Sequence, residues 1–205
     1  MKKILGAHNA NTYMEPRKWW MRLINFTSKC QKLTIKEQFE HGVRYFDFRI
    51  RYDEKLGVFR NCHGLVESIE HLFCTVYPLS YFAEKIKPEP IYIRFVYDDT
   101  FNNNIDDSDL IDLFINQIYP ILRNNKNIIW KLIKKSSWKY IVYNNRPQLA
   151  IVDCFKNYRG YKWIPWPRWW AKKNNKRLKK FMDEYQEGTP DKDTVFLFDF
   201  VEQST

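Results

Sequence analysis

The chain has 205 residues, 44% of them hydrophobic and 18% aromatic, which suits one globular domain with a hydrophobic core over residues 1–205. Its formal net charge of +10 predicts partners that carry negative charge: phosphate, anionic lipid or nucleic acid. The first residues lack a signal-peptide core, no apolar run is long enough to span a bilayer, and the four cysteines lack CxxC spacing. We therefore expect a cytoplasmic protein with free thiols.

Short apolar segments alternate with helical patterns along the chain, which predicts an α/β fold with a parallel sheet or barrel wrapped by helices. A capping box of Thr34 and Glu37 begins the first predicted helix, and Gly42 ends it. In chain order, the predicted elements are a strand at residues 3–7, this helix, strands at 45–51 and 58–62, a helix at 67–87, a strand at 91–97, a helix at 106–123, a strand at either 139–143 or 149–154, a helix at 176–186 and a strand at 195–200. Residues 158–180, rich in Trp, Pro, Lys and Arg, are interpreted as a loop and basic helix inserted between the last two strands.

Polar side chains lie within and directly after these strands. Asp47 and Arg49 share one face of an otherwise apolar strand, and a buried charge needs a partner. His8 follows the first strand, and His63 follows the third. Barrels place catalytic groups at the C-terminal ends of their strands, so we expect these side chains to form one polar site. An Asp47–Arg49 ion pair that only fills the barrel is the alternative.

Two histidines and an arginine are sufficient for metal-free transfer of a phosphoryl group to a neighbouring hydroxyl. A neutral histidine takes the proton of the attacking hydroxyl, and a protonated histidine donates one to the leaving oxygen. An arginine holds the phosphate oxygens and stabilises the charge of the transition state. The other two histidines, His41 and His71, look like ordinary surface or core residues.

Four motifs occur in a fixed order in the first half of the chain: GAHNANTY (6–13), QFEHGVRYFDFRIR (38–51), NCHG (61–64) and PIYIRFVYD (90–98). Together they resemble the catalytic X domain of phosphatidylinositol-specific phospholipases C. The similarity covers residues 4–98 and returns at VFLFDF (195–200). It implies a distorted or incomplete TIM-type (β/α) barrel that releases diacylglycerol and a cyclic inositol phosphate.

The resemblance also implies roles for individual residues. His8 corresponds to the general base, His63 to the general acid, and Arg49 to the arginine that bacterial-type members use at the phosphate. Asp199 resembles the aspartate that pairs with the base histidine; a strand residue capped by nearby backbone is the alternative.

The calcium ligands of the animal members are largely missing. Those members have acidic ligands at positions matching Asp47, Arg49 and Val96, with an asparagine matching Asn9. Calcium takes about six to eight oxygens, so we expect no metal and no calcium cofactor here. Bacterial-type members have an aspartate where this chain has Asn9, and an amide cannot stabilise an imidazolium by charge. We therefore expect weakened turnover or an altered pH dependence.

Further residues are predicted to contact the substrate. Arg94 points to the same side of its strand as Val96, so a contact with a substrate hydroxyl or phosphate is predicted, with a structural ion pair as the alternative. Asp153 follows an apolar segment and is a candidate for holding an inositol hydroxyl, and Arg159 and Tyr161 lie near it in sequence.

Tryptophan and basic residues are concentrated in two segments. The first contains Trp19 and Trp20 beside Arg17 and Lys18, and the second contains Trp163, Trp166, Trp169 and Trp170 among basic residues 162–180. Tryptophan favours the headgroup layer and basic side chains favour anionic lipid, which predicts membrane contact. Alternatively, the tryptophans cover the barrel and the lysines solvate a helix. No RNA-binding motif is visible, and no nucleic-acid partner is expected.

These patterns favour a monomeric, peripherally membrane-associated phosphodiesterase that acts on an inositol phospholipid. His8 would deprotonate the inositol 2-hydroxyl, Arg49 would hold the phosphate, and His63 would protonate the departing diacylglycerol oxygen. Two alternatives stay open: a lipid-headgroup-binding protein of the same fold that has lost turnover, and a two-histidine phosphodiesterase acting on RNA.

Overall fold

The computed structural model describes residues 2–85, 89–99, 105–144, 149–153, 167–185 and 193–203. The strands are β1 Lys3–Ala7, β2 Tyr45–Asp53, β3 Val58–His63, β4 Val66–His71, β5 Ile91–Tyr97, β6 Ile128–Lys134, β7 Tyr140–Tyr143, β8 Leu149–Asp153 and β9 Asp193–Phe198. The helices are α1 Trp19–Ile24, α2 Ile35–Glu40, α3 Leu72–Lys85, α4 Asp107–Gln117, α5 Tyr119–Leu122 and α6 Pro167–Glu184, with short 3₁₀ turns at Asn25–Thr27 and Val201–Gln203.

One mixed sheet contains all of these strands. Its main row has the order β7-β6-β5-β2-β1-β9-β8, and β3 and β4 extend from β2 as an antiparallel branch. The six strands from β6 to β8 along this row pair in parallel, and β7 is antiparallel to β6. The predicted parallel architecture is therefore confirmed, with antiparallel additions.

The connection between the two ends of the row requires the sheet to curl. Five residues separate Tyr143 of β7 from Leu149 of β8. An extended chain of that length spans about 21 Å, whereas a flat row of seven strands would place its outer members about 29 Å apart. In the described part of the chain β7 and β8 do not pair, so the result is a distorted, partly open barrel, as the resemblance implied.

Alternate residues of the central strands face opposite sides of the curled sheet. Phe48 and Phe95 are fully buried in the larger core on the convex side, where Phe114 of α4 packs against Phe95 with ring centroids 5.0 Å apart. On the concave side, Tyr45 and Tyr92 belong to a smaller apolar cluster near the N-terminal ends of the strands. The charged side chains of the same strands lie beyond this cluster, toward the C-terminal ends.

Two predicted helices are corrected by the structure. Residues 67–71, predicted as the start of a helix, belong to β4, because Val66 and Ser68 are buried while Ile69 is exposed, the alternation of a strand. The predicted helix 106–123 is divided into α4 and α5. Pro120 lies in the first turn of α5. It has no amide hydrogen, so it cannot continue the backbone hydrogen bonds of α4.

Other element predictions were incomplete. Strand β6 is missing from the sequence-based prediction, and the two segments offered as alternatives, 139–143 and 149–154, both contain strands, β7 and β8. Helix α6 begins at Pro167, earlier than the predicted start at residue 176, so it includes the second part of the Trp-rich and basic segment. The predicted strands at 3–7, 45–51, 58–62, 91–97 and 195–200 are confirmed, with small shifts at their ends.

A close contact between β1 and β9 yields a stability prediction. A Cβ added at Gly6 would lie 2.6 Å from Leu197 Cδ2 and 2.9 Å from Val195 Cγ1. Gly6→Ala should therefore lower the free energy of unfolding by about 1–3 kcal/mol, the usual effect of overpacking a core. Urea denaturation of Gly6→Ala, Leu197→Ala and the double variant measures this. The double variant should be more stable than the sum of the single effects predicts, and strict additivity would contradict the proposed contact.

Candidate active site

His8 is positioned at the end of β1 by contacts with the end of β9. Its backbone amide donates to Phe198 O at 2.9 Å, and its Nδ1 lies 2.8 Å from Asp199 Oδ1. A carboxylate at this distance holds the proton on Nδ1, which leaves the Nε2 lone pair as the acceptor. Nε2 faces Arg49 Nη2 at 3.5 Å and Asp47 Oδ2 at 3.8 Å. This is the geometry of an oriented general base.

Asp47 is fully buried among cationic side chains of the concave face. Arg94 Nε donates to Asp47 Oδ1 at 2.6 Å, and Arg49 Nη2 lies 3.6 Å from Oδ2. Burial by itself would raise the pKa of Asp47, but the charges of Arg94 and Arg49 outweigh it and hold this pKa well below its usual range. The Asp47–Arg49 ion pair, which was the alternative to a polar site, is therefore present within the site. Arg94 also binds Asp47, as its own alternative predicted.

His63 ends β3 and faces the same region. Its Nδ1 lies 2.7 Å from Ser28 O, so Nδ1–H donates to this carbonyl and Nε2 carries the lone pair. Burial lowers the pKa of His63 to about 4; the Ser28 carbonyl opposes this shift, and the positive charge of Arg49 adds to it. His63 is therefore neutral in the free protein at pH 7.

Asn9 links the two histidines. Its φ of 48° is in the left-handed region, where asparagine is tolerated, and its side chain is buried. Asn9 Nδ2 lies 3.3 Å from His8 Nδ1, 3.4 Å from His63 Nε2 and 3.4 Å from Cys30 Sγ. Its Oδ1 is buried without a hydrogen-bond partner in the described part of the chain. The side chain thus reaches both histidines, but it brings no charge.

Arg51, on the same strand face as Asp47 and Arg49, positions the turn that follows His63. Its guanidinium donates to Gly64 O at 2.9 Å and to Glu67 Oε1 at 3.0 Å. These contacts fix the hairpin between β3 and β4 against β2. Arg51 therefore supports His63 and does not enter the cluster around His8.

The sequence-based prediction did not include Trp138 or Lys131, which also lie at the site. Trp138, in the turn between β6 and β7, is 49% exposed, and its ring lies 5.5 Å from the guanidinium carbon of Arg49, a cation–π contact. Lys131 on β6 stands in register with Arg94, which stands in register with Asp47. Burial, followed by the charge of Arg94, lowers the pKa of Lys131 to about 8. The feature of the sequence that could have identified Lys131 is a lysine within an otherwise apolar segment that suits a strand.

The remaining predicted residues are only partly placed by the structure. Asp153 ends β8 in register with Leu197, and its side chain is not described. Trp19 and Trp20 lie on α1 and are 75% and 36% exposed. Trp169 and Trp170 belong to the beginning of α6, where only the backbone is described, and Arg159, Tyr161, Trp163 and Trp166 lie outside the described residues.

The positions that match calcium ligands in animal phospholipases C do not form a cluster of oxygen donors. The Asp47 carboxylate is engaged by Arg94 and Arg49, and Val96 is a buried apolar residue. Calcium binds about six to eight oxygen atoms, and a guanidinium repels it. These residues do not fit a calcium ion.

Comparison with known proteins identifies the fold. No protein-family model matches the chain, and no sequence among the curated proteins matches it. Among solved structures, the phosphatidylinositol-specific phospholipase C of Staphylococcus aureus matches with a TM-score of 0.64 at 13% identity, covering 97% of this chain and 85% of that one. The enzyme from Listeria monocytogenes matches with a TM-score of 0.63 at 18% identity, covering 97% and 88%. The resemblance inferred from the motifs is thereby confirmed for the fold.

The contact between Asn9 and His63 leads to a prediction for the protonation of His63. Asn9→Asp should raise the pKa of His63 above its value of about 4, because a carboxylate near Nε2 stabilises the imidazolium. Aspartate tolerates the left-handed backbone as asparagine does, so the substitution changes charge and little else. A ¹⁵N NMR titration of the histidine side chains in both proteins measures the two midpoints.

The wild-type titration has its own expected course. His63 should carry its proton on Nδ1 near neutral pH and become charged only as the pH falls toward 4. Since this folded-state pKa lies below the usual value of about 6.5, stability should decrease as the pH falls from 6.5 toward 4. A His63 midpoint near 6.5, or one that Asn9→Asp leaves unchanged, would contradict the described environment.

Proposed function

We propose that this protein cleaves phosphatidylinositol-type lipids by metal-independent transfer of the phosphoryl group to the inositol 2-hydroxyl. The observation that carries the proposal is the 2.8 Å contact between His8 and Asp199, which directs His8 Nε2 toward Arg49. The fold is that of enzymes named for phosphatidylinositol. A fold alone does not establish an activity, so the proposal depends on the side chains at the strand ends.

The reaction assigns one step to each side chain. His8 Nε2 accepts the proton of the 2-hydroxyl, and the resulting oxygen attacks phosphorus to form the cyclic ester. The bond from phosphorus to the glycerol oxygen breaks, and protonated His63 donates its Nε2 proton to that oxygen. Arg49 binds the phosphate oxygens and stabilises the charge that develops on them. The products are diacylglycerol and a cyclic inositol phosphate.

The charge of the concave face supports an anionic substrate. Arg49, Arg94 and Lys131 lie on neighbouring strands, and Asp47 is the carboxylate that contacts the two arginines. Neither the described hydrogen bonds nor the described ion pairs include Lys131, whose lowered pKa of about 8 reflects burial beside Arg94. A bound phosphodiester would bring negative charge to these three cationic side chains. We assign Arg94 and Lys131 to the headgroup, on the N-terminal side of Arg49.

The low pKa of His63 limits its action as an acid. At pH 7 a group with a pKa of about 4 is protonated in roughly one molecule in a thousand. The negative charge of a bound phosphodiester raises this pKa, and that shift is a requirement of the mechanism. With Asn9 in place of a carboxylate, we infer slow turnover at neutral pH that increases as the pH falls and more His63 becomes protonated.

The same observation favours a second function. A site that binds the headgroup without turnover would keep Arg49, Arg94 and Lys131 and would need no protonated His63. Asn9 and the neutral His63 are consistent with this alternative. Binding of phosphatidylinositol vesicles without any release of inositol phosphate would identify it. Cleavage of RNA in place of lipid would indicate the third candidate, a two-histidine ribonuclease-type activity.

Release of water-soluble inositol phosphate from labelled phosphatidylinositol vesicles in EDTA tests the enzymatic proposal. Wild-type protein should release it without added metal, and His8→Ala and His63→Ala should each lower the rate roughly 10²–10⁴-fold, the usual contribution of a general acid or base. Arg49→Lys should also lose activity, because lysine lacks the guanidinium fork.

The matched control for the histidine variants is His71→Ala, which removes an exposed histidine of β4. It should retain wild-type activity. Equal rates in the wild type, His8→Ala and His63→Ala would contradict the assigned roles, and activity that appears only with calcium would contradict metal independence.

We also infer a peripheral membrane contact through α1. Trp19 and Leu23 are 75% and 66% exposed, and Phe26 in the adjoining 3₁₀ turn is 53% exposed. Lys18 lies beside Trp20, so cationic and aromatic side chains occur together on this surface. Among the described residues, no helix is long and apolar enough to cross a membrane. A surface of this composition suits the headgroup layer of an anionic bilayer.

Trp19→Ala should weaken binding to phosphatidylinositol vesicles roughly fivefold, equivalent to about 1 kcal/mol. Vesicle pelleting measures the binding, and a soluble headgroup substrate measures catalysis separately, which should not change. Tyr77→Ala, which removes an exposed aromatic residue of α3 outside both Trp-rich segments, is the control. A loss of vesicle binding as large in Tyr77→Ala as in Trp19→Ala would exclude a specific role for α1.

A further inference from the structure

The side chain of Cys30 lies against the pair formed by His8 and Asp199. One ligand atom from each of these residues, a ring nitrogen, the thiol sulfur and a carboxylate oxygen, lies within 4.8 Å of the other two. All three residues are at least nine-tenths buried. Of the described cysteines, Cys62 is also buried and Cys74 is exposed, and neither belongs to such a group. The cluster therefore combines nitrogen, sulfur and oxygen donors at one point.

These donor types match those that a soft divalent cation prefers. Zinc binds His, Cys and Asp in a tetrahedron at about 2.0–2.3 Å, which places neighbouring donor atoms about 3.3–3.8 Å apart. His8 Nδ1 and Asp199 Oδ1, now 2.8 Å apart, would separate by about 0.5 Å to reach that spacing. Binding would also bring Cys30 Sγ, now within 4.8 Å of the other two ligand atoms, to the spacing of a tetrahedron.

Asn9 is an independent sign of an incomplete donor set. Its buried Oδ1 has no hydrogen-bond partner among the described residues, while Nδ2 lies 3.3 Å from His8 Nδ1 and 3.4 Å from Cys30 Sγ. A 180° rotation of the amide exchanges the two atoms and turns the oxygen toward the same donors. The rotation gives up the long Nδ2 contact with His63 at 3.4 Å. Asn9 can thus supply a fourth ligand, which completes a tetrahedron.

The nearby arginine does not prevent binding of a cation here. Arg49 Nη2 approaches His8 at Nε2, whereas Asp199 Oδ1 lies at Nδ1, on the opposite edge of the imidazole ring. The Asn9 amide lies against both Nδ1 and Cys30 Sγ. The carboxylate of Asp199 and the deprotonated thiol of Cys30 contribute two negative charges. Binding would release the thiol proton to solvent and would move the His8 proton from Nδ1 to Nε2.

We propose that His8, Cys30 and Asp199, with the Asn9 amide, form a binding site for zinc or a similar thiophilic cation. Occupation of this site is inhibitory: the ion takes His8 Nδ1 and the Asp199 carboxylate, and Nε2 then carries a proton and can no longer accept one. The inhibitory effect rests on the proposed function, whereas the binding does not.

Calorimetric titration with zinc chloride, and cadmium titration followed by the ultraviolet thiolate-to-metal absorption band, test the binding. Wild-type protein should bind one ion with release of a proton, and Cys30→Ser should lose the band. Its affinity should fall by more than the roughly 10–100-fold that loss of a supporting residue costs. Asp199→Asn should weaken binding while it keeps the thiolate band, and so separates loss of a ligand from loss of folding.

Cys74→Ser is the matched control, since it removes an exposed thiol and should bind like the wild type. Equal zinc affinity in the wild type and Cys30→Ser, or a cadmium–thiolate band that persists in Cys30→Ser, would overturn the proposal. Absence of zinc binding by the wild type would overturn it as well. If zinc binds as expected and no lipid cleavage occurs under any condition, the proposed enzymatic function fails while the metal site stands.

Discussion

The buried carboxylate of Asp47 is the interaction on which the concave site depends. It lies on β2, and its two oxygens face Arg94 at 2.6 Å and Arg49 at 3.6 Å. Without it, two guanidinium groups would meet in a low-dielectric interior, at a cost of several kcal/mol. Arg94 and Arg49 both contact Asp47, and Lys131 stands next to Arg94 on β6, so several cationic side chains lie close together on the described part of this face. Asp47 thus allows the barrel to hold the arginines of the proposed phosphate site where an apolar core would otherwise be expected.

The sequence predicts the polar site better than it predicts the elements around it. His8 and His63 were selected because they follow predicted strands, and Arg49 because it is a charged residue within an apolar strand; all three also match motifs of the resembled family. The parallel pairing of β1 with β2 brings His8 to Arg49. His63 reaches them from β3, which is antiparallel to β2, an orientation that the predicted parallel arrangement did not include. Trp138 and Cys30 carry no such signal, since their contacts with Arg49 and Asn9 arise only when distant turns fold onto the strand ends. Strand β4 was predicted as part of a helix for a related reason. It is stabilised by pairing with β3, and a hydrophobic pattern read along the sequence does not detect that pairing.

The likeness to bacterial phosphatidylinositol-specific phospholipases C, at 13–18% identity, establishes a shared fold and leaves the chemistry to the side chains. The His8–Asp199 pair and the position of Arg49 agree with catalysis. Asn9 and the lowered pKa of His63, about 4, act against it at neutral pH, because both disfavour the protonated acid that the leaving group needs. In the proposed mechanism, a well-oriented base is therefore combined with an acid that is seldom protonated, and the negative charge of the bound substrate has to raise the pKa of His63.

The central claim is that the inositol 2-hydroxyl attacks phosphorus under the control of His8. The most direct measurement is ³¹P NMR of the aqueous phase after incubation of phosphatidylinositol with the protein in EDTA at mildly acidic pH. A five-membered cyclic phosphate, absent when the 2-hydroxyl is replaced by hydrogen, is the predicted result. Only non-cyclic inositol phosphate from the first moments of the reaction, or equal cleavage of the 2-deoxy lipid, would contradict the claim.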